Sequence, residues 1–191
     1  MLFDIHTKQE DVLLSVKHEI KRGALDAKHA FRFVVLGTSN QNDISQRYVV
    51  LRKVDQNLNL YIYTDLRSEK VKQIKHNPQV SLLCYHPQKR VQVRIKGEAE
   101  LHYQNELSKE LWRHVQGDAK KAYNSKLAPG TIIQAPEEAH SWPEDLTNPE
   151  NFCVIKIKPN NIEVLQLNGL HHIRIQFSKI EDQWQGQWLV P

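Results

Sequence analysis

Arg47-Tyr-Val-Val-Leu-Arg52, Tyr63-Thr-Asp-Leu-Arg-Ser-Glu-Lys70 and Val91-Gln-Val-Arg94 punctuate one stretch, residues 47–97, whose reading decides the fold. The β-branched and aromatic runs at residues 46–54 and 58–64 are separated only by Asp55-Gln-Asn57, which spells an antiparallel hairpin. Asp65 then opens a short helix, with Val71 and Ile74 turned inward and His76-Asn77-Pro78 as its stop. Val80-Ser-Leu-Leu-Cys-Tyr85 is a near-continuous apolar strand. After His86-Pro-Gln-Lys89, Val91, Val93 and Ile95 alternate with Gln92, Arg94 and Lys96, giving a strand with one buried and one polar face. Gln92 and Arg94 share the polar face.

Upstream, Val12, Leu13, Val16 and Ile20 form the stripe of an amphipathic helix. Thr7 is its expected N-cap, Glu10 completes a capping box, and Gly23 is the expected stop. Residues 30–38 read as a strand, and Ser39-Asn-Gln-Asn-Asp43 as a turn. Downstream, residues 105–125 predict a second helix with Leu107, Leu111, Trp112 and Val115 at core spacing. Residues 127–151 lose all periodicity, and residues 134–150 hold five acids and no Lys or Arg. Such a segment is a lid or binding loop, or else a solvated surface loop. Strands return at residues 152–157, 162–167, 172–177 and 183–190. Short antiparallel strands with few helices predict one mainly β domain over residues 1–191, a small barrel, Greek-key or meander with flanking helices.

Composition narrows the function classes. Hydrophobic content of 40% and charged content of 25% over 191 residues are ordinary for a water-soluble domain. No apolar run approaches the roughly 18 residues of a membrane span, and the N-terminus does not resemble a signal peptide, so a cytoplasmic address is expected. Cys84 and Cys153 lie in apolar strands without CxxC spacing, which predicts buried free thiols and no zinc site. The net charge of +4 conceals an asymmetry. Residues 47–96 carry eleven Lys or Arg against three Asp or Glu, and the remainder fifteen against nineteen. A basic segment on an otherwise acidic chain suits a local anionic ligand, the alternative being a solvated basic face.

The joint at Asp65 gives that ligand a chemistry. Helix N-terminal N–H groups, the Ser68 hydroxyl and the Lys70 ammonium form a ready phosphate site. Arg47 on a neighbouring strand adds a planar fork for phosphate oxygens. The competing reading leaves Lys70 facing water. Arg47 and Arg52 are an odd number of residues apart, so a flat strand sends them to opposite faces unless a bulge intervenes.

Taken together, Arg47-x-Val-Val-Leu-Arg52, Tyr63-Thr64-Asp65 with Ser68-x-Lys70, Asn77-Pro78 and Gln92-Val-Arg94-x-x-Gly97 resemble the pyridoxamine 5′-phosphate oxidase family. The likeness implies the FMN-binding split-barrel fold, with a six-stranded antiparallel core. It implies FMN as cofactor, its phosphate gripped by Arg47 and Lys70 and its ring lying beside Val49, Val50, Leu51 and Arg52. Tyr63, Thr64 and Ser68 are implied as contacts to the ribityl-phosphate or ring edge, and Gln92 and Arg174 as contacts to the ring. It further implies a homodimer with FMN at the subunit interface, and a small-molecule substrate. The chain also departs from the family. Glu69 stands where a second phosphate-gripping arginine is common, Arg52 where a lysine touches flavin and substrate, and Val91 in place of an arginine. Trp112-Arg-His-Val115 is not the substrate-phosphate motif, and the late Trp and Arg-Leu-His-Asp-Arg pattern is reduced to Leu165 and Leu170-His-His-Ile-Arg174. The flavin half is kept and the pyridoxamine-phosphate half is not. The expected function is that of an FMN-dependent oxidoreductase on an unidentified small molecule, with no catalytic acid or base named. The alternative is a non-catalytic flavin- or haem-binding carrier or sensor on the same fold. Nucleic-acid binding through Tyr61, Tyr63 and Tyr85 is the remoter reading, and no membrane partner is expected.

Overall fold

The computed structural model describes residues 1–40 and 43–191. Eight strands follow one another antiparallel: β1 (Phe33–Asn40), β2 (Asp43–Val54), β3 (Leu60–Asp65), β4 (Gln79–His86), β5 (Val91–His102), β6 (Phe152–Gln166), β7 (Ile173–Ile180) and β8 (Gln183–Leu189). Their order is β3-β2-β1-β4-β5-β6-β7-β8, and β3 also pairs with β6 from Leu60↔Ile157 to Asp65↔Phe152. That pairing closes a six-stranded barrel and leaves β7 and β8 as an outward extension. The mainly β reading and its six-stranded core are therefore borne out. The centre of the predicted turn between β1 and β2, Gln41-Asn42, lies outside the described residues.

Alternation fills the barrel. Leu36, Leu51, Leu60, Ile62, Leu82, Val93, Ile95, Ile155, Ile162 and Val164 are all at most 1% exposed. Each such side chain contributes about 1.5–3 kcal/mol by leaving water. A separate aromatic cluster of Trp112, Tyr123, Phe152 and Tyr63 sits outside the barrel, with ring centres 5.0–6.2 Å apart. Cys84 and Cys153 are free and buried, as expected. No helix among the described residues is long and apolar enough to cross a membrane.

Helix α1 (Gln9–Leu25) buries Val12, Val16 and Ile20 against the barrel. Its ends differ from expectation. Lys8 is the N-cap and makes no side-chain cap, because Thr7 instead exchanges hydrogen bonds with Asp4. Gly23 does not stop the helix but lies within it, where a Cβ would sit 2.7 Å from the Phe31 carbonyl oxygen. Its absence lets the 3₁₀ turn Ala30–Arg32 dock, and the predicted strand at residues 30–38 begins only at Phe33. A buried polar knot ties α1 to the barrel. Glu19, 2% exposed, receives Lys89 Nζ at 2.6 Å and His29 Nε2 at 3.1 Å. His86 Nε2 lies 3.8 Å away. Because His29 Nδ1 accepts the Phe31 N–H, the imidazole proton sits on Nε2 and points at the carboxylate. Glu19 is thus hydrogen-bonded to His29 and Lys89, and His86 completes a group of three whose ligand atoms lie within 4.8 Å of one another.

Two further boundaries shift. The expected helix over residues 105–125 is α3 (Glu106–Trp112), capped by Asn105 and Ser108, followed by a 3₁₀ segment, Gly117–Tyr123. Gly117, at φ +53°, opens that 3₁₀ segment after α3 has ended at Trp112. The expected pair of strands over residues 152–167 is the single β6. Its Pro159 is accommodated by a register shift opposite Lys96 and Gly97.

Candidate functional site

Four pieces of chain meet in a cleft of about 300 Å³: the middle of β2, the end of β3, the start of helix α2 (Glu69–His76), and the 3₁₀ segment with Pro129 beyond it. Arg47, Val49, Val50, Arg52, Tyr63, Thr64 and Lys70 line it, together with Tyr48, Asp65, Ala122, Tyr123 and Pro129.

The basic end is built by burial and by withheld counter-charge. After β3, Asp65–Ser68 forms a turn rather than the first turn of the helix, and the N-cap is Ser68, not Asp65. Asp65 is occupied by Arg67, which donates Nη2 to Oδ2 at 2.7 Å and Nε to Oδ1 at 3.0 Å. Its charge is therefore spent beside the cleft. Ser68 Oγ donates back to the Asp65 carbonyl at 2.7 Å and lies 3.3 Å from Thr64 Oγ1, so it does not cap the helix. The first N–H groups of α2 are left facing outward along the helix axis. Lys70 Nζ has one hydrogen bond, to Thr64 Oγ1 at 3.1 Å, and forms no ion pair among the described residues. Burial and then repulsion from Arg47 push its pKa down, against a weaker pull from Asp65. Glu69 pairs with Lys72 at 3.3 Å on the exposed side and does not oppose Lys70.

Arg47 is held from behind. Its guanidinium donates to Thr38 Oγ1, to the Leu36 carbonyl at 3.4 Å and to Gln73 Oε1 at 3.2 Å. Gln73 is fixed in turn by Ser45 at 3.0 Å. These bonds engage three of five donors, leaving Nε–H and one Nη2–H without a protein partner among the described residues. Sequence reading missed Thr38 and Gln73 because each lies on a different element with no motif of its own. Their role emerges only when β1, β2 and α2 pack together.

The other end of the cleft is aromatic. A bulge between Leu51 and Lys53, the possibility raised by the arginine spacing, turns Arg52 into it. The Arg52 guanidinium stands 5.9 Å from the Tyr63 ring centre. Burial raises the Tyr123 pKa, and the adjacent Arg52 offsets part of that rise. Burial also raises the Tyr63 pKa, so both phenols keep their protons at neutral pH. Tyr123 gave no sequence signal; the Trp112–Phe152 cluster carries it there.

The remaining expected residues lie elsewhere. Leu51 is fully buried in the barrel, and its carbonyl accepts from Arg32 at 3.0 Å. Ser68 stands behind Thr64. Gln92 and Arg174 flank Leu165 on β5 and β7, apart from the cleft. Arg174 and Arg94 both hold Glu163 Oε1, at 3.0 and 2.7 Å. His171 and His172 are exposed just before β7. The acidic residues 134–150 pack beside the cleft through Trp112 Nε1 on the Thr147 carbonyl and Trp142 Nε1 on the Lys121 carbonyl.

Chemically, the cleft offers two cations and helix N–H groups at one end and an apolar and phenolic wall at the other. That donor set fits a phosphate joined to a planar body. A family model described as pyridoxamine 5′-phosphate oxidase, FMN-binding domain, matches residues 13–103. The chain is similar to the pyridoxine/pyridoxamine 5′-phosphate oxidase of Shewanella denitrificans, with 32% identity over 156 residues, 76% of this chain and 72% of that protein. It is 26% identical to the Legionella pneumophila protein of the same name over 177 residues, 87% of this chain and 81% of the relative. Its fold superposes on a pyridoxamine 5′-phosphate oxidase-related, FMN-binding protein of Nostoc punctiforme with a TM-score of 0.78, at 23% identity, over 93% of this chain and 96% of that one. It superposes equally on PhzG of Burkholderia lata, whose structure holds tetrahydrophenazine-1-carboxylic acid, with a TM-score of 0.79 at 16% identity over 100% of both chains.

Proposed function

Since the chain belongs to the pyridoxamine 5′-phosphate oxidase family of FMN-binding proteins, we propose that its cleft is the flavin site of an FMN-dependent oxidoreductase acting on a small molecule other than pyridoxamine 5′-phosphate. The observation that carries this reading is the pair Arg47 and Lys70, partly buried and without a carboxylate partner among the described residues, at the start of α2. FMN, when bound, supplies the hydride or electron transfer. The chain's residues hold and orient it. Arg47, Lys70 and the α2 N–H groups bind its phosphate, Val49 and Val50 offer apolar surface to its ring, and Arg52 with the Tyr63 and Tyr123 hydroxyls supplies donors at the open end. The substrate is taken to differ because residues 107–123 build an aromatic wall and carry no arginine–serine phosphate clamp.

A homodimer completes this reading. Phe33, Tyr48, Leu83 and Tyr85 are 59%, 75%, 38% and 48% exposed on the outer face of β1, β2 and β4. Tyr48, Val35, Leu83 and Arg94 lie in one register row, so the apolar surface runs from the cleft to the Gln92–Arg94–Arg174 face. A contiguous exposed apolar patch of this kind marks an association surface, and a second copy seated on it brings the partner's β5–β7 face toward the cleft.

The test is the absorbance spectrum of the purified protein, followed by anaerobic addition of NADPH or NADH. Bound flavin that is bleached by a nicotinamide and recoloured by an acceptor supports the oxidoreductase. Tightly bound flavin inert to every reductant would favour the carrier. A colourless protein that takes up no FMN rejects the site.

A further inference from the structure

A second hollow lies apart from the proposed flavin cleft. It measures about 610 Å³ and lies between α1, the β2–β3 turn, the Pro159 bulge of β6 and the β7–β8 hairpin. The two share no lining residue. Lys17, Lys21, Lys158 and Lys179 line it, with Trp184 as an aromatic wall. All four lysines lie outside residues 47–96, in the part of the chain where acids outnumber bases, so they are not an overflow of the basic stretch.

The charge in this hollow is only partly answered. Lys179 is bound by Asp182 at 2.8 Å, and Lys158 pairs with Glu100 outside the hollow. Lys17 and Lys21 form no ion pair among the described residues. They are one helical turn apart, a spacing at which like charges destabilise a helix. The α1 positions three and four residues from either one hold Leu13, Leu14, His18, Ile20, Ala24 and Leu25, and no acid. Burial lowers the Lys17 pKa, and Lys21 and Lys179 lower it further. Lys17 Nζ rests 5.8 Å from the Trp184 ring centre. Across the mouth, Leu58 takes a left-handed conformation at φ +64° and buries its side chain, 3% exposed, which anchors the turn bearing Gln56 and Asn57 at the rim.

We propose that this hollow is a second anion site, separate from the flavin cleft, for a small and multiply charged phosphate compound. Compact ammonium groups act on phosphate as point charges, and the lining has no arginine fork to favour a planar carboxylate. A hollow of about 610 Å³ with Asp182 in its lining suits a ligand of metabolite size better than an extended nucleic-acid backbone.

The experiment is calorimetric titration of FMN-saturated protein with inorganic tripolyphosphate at low ionic strength. One site per chain is expected, weakening as salt rises. The double variant Lys17→Glu/Lys21→Glu should weaken it by roughly tenfold or more while leaving thermal stability and FMN affinity unchanged. Lys179→Gln gives an independent reading on a different element and should weaken it as well. Absence of binding at millimolar tripolyphosphate, or binding that survives both variants, overturns the proposal. So does binding abolished by Lys70→Ala alone, which places the anion in the flavin cleft, or single-stranded oligonucleotide binding tighter than tripolyphosphate.

Discussion

At the scale of single residues, the proposed flavin cleft denies two cations their usual partners. Asp65 is taken by Arg67, and Glu69 by Lys72, so Lys70 and Arg47 keep their positive potential for a ligand. Replacing either Arg47 or Lys70 by alanine should weaken FMN by about 1.5–3 kcal/mol, through loss of a charge-assisted contact. Fluorescence titration of the flavin checks this, and unchanged affinity in both variants would remove the phosphate assignment. Much of this end was legible in the sequence, because Arg47, Thr64 and Lys70 sit at joints whose chemistry is local. Gln73 was not. It lies in the interior of an amphipathic helix and becomes functional only by standing behind Arg47. Tyr123 was hidden for the same reason, being delivered by contacts of Trp112 and Phe152 that link distant parts of the chain.

At the scale of elements, hydrophobic period located nearly every strand, and the misplaced boundaries share one cause. Gly23 reads as a helix stop and residues 158–161 as a gap between two strands, and packing between distant parts of the chain overrides both. Gly23 makes room for Phe31, and Pro159 is absorbed by the bulge opposite Gly97. Gly97→Ala would drive a Cβ into the Lys158 carbonyl and should cost about 1–3 kcal/mol, read as a lowered denaturation midpoint. The knot that ties α1 to the barrel makes a pH-dependent prediction. Burial alone would raise the Glu19 pKa, but hydrogen bonds from Lys89 and His29 outweigh it and hold the carboxyl below its ordinary value of 4.5. Its contribution is therefore complete above that value and lost as pH falls through the lower folded-state pKa. Glu19→Gln should destabilise the protein by about 2–4 kcal/mol at neutral pH. The gap between variant and parent should close on acidification below about pH 4 in thermal melts. A gap independent of pH would mean that packing, not charge, accounts for the loss.

At the scale of the whole molecule, the proposed homodimer makes association and cofactor retention depend on one residue, since Tyr48 is exposed on the apolar surface and also lines the cleft. Tyr48→Glu should give a monomer by light scattering and release FMN more readily; a monomer with unchanged flavin retention would separate the two, and an unchanged dimer would reject the surface. The closed barrel carries a kinetic consequence. β5 and β6 form the longest ladder in the protein, from Val91↔Gln166 to His102↔Val154, yet the whole of α3, the 3₁₀ segment and the irregular loop lies between them. Joining them requires closing a long loop before any of those contacts reward it, which slows folding. Tyr123 and Pro129 sit inside that loop, so one wall of the cleft is assembled only with the final closure. A rate-limiting closure of this loop would give the flavin a finished binding surface only afterwards. Added FMN should leave the refolding rate unchanged and slow unfolding, the pattern of a ligand that arrives too late to guide the chain and stays to lock it.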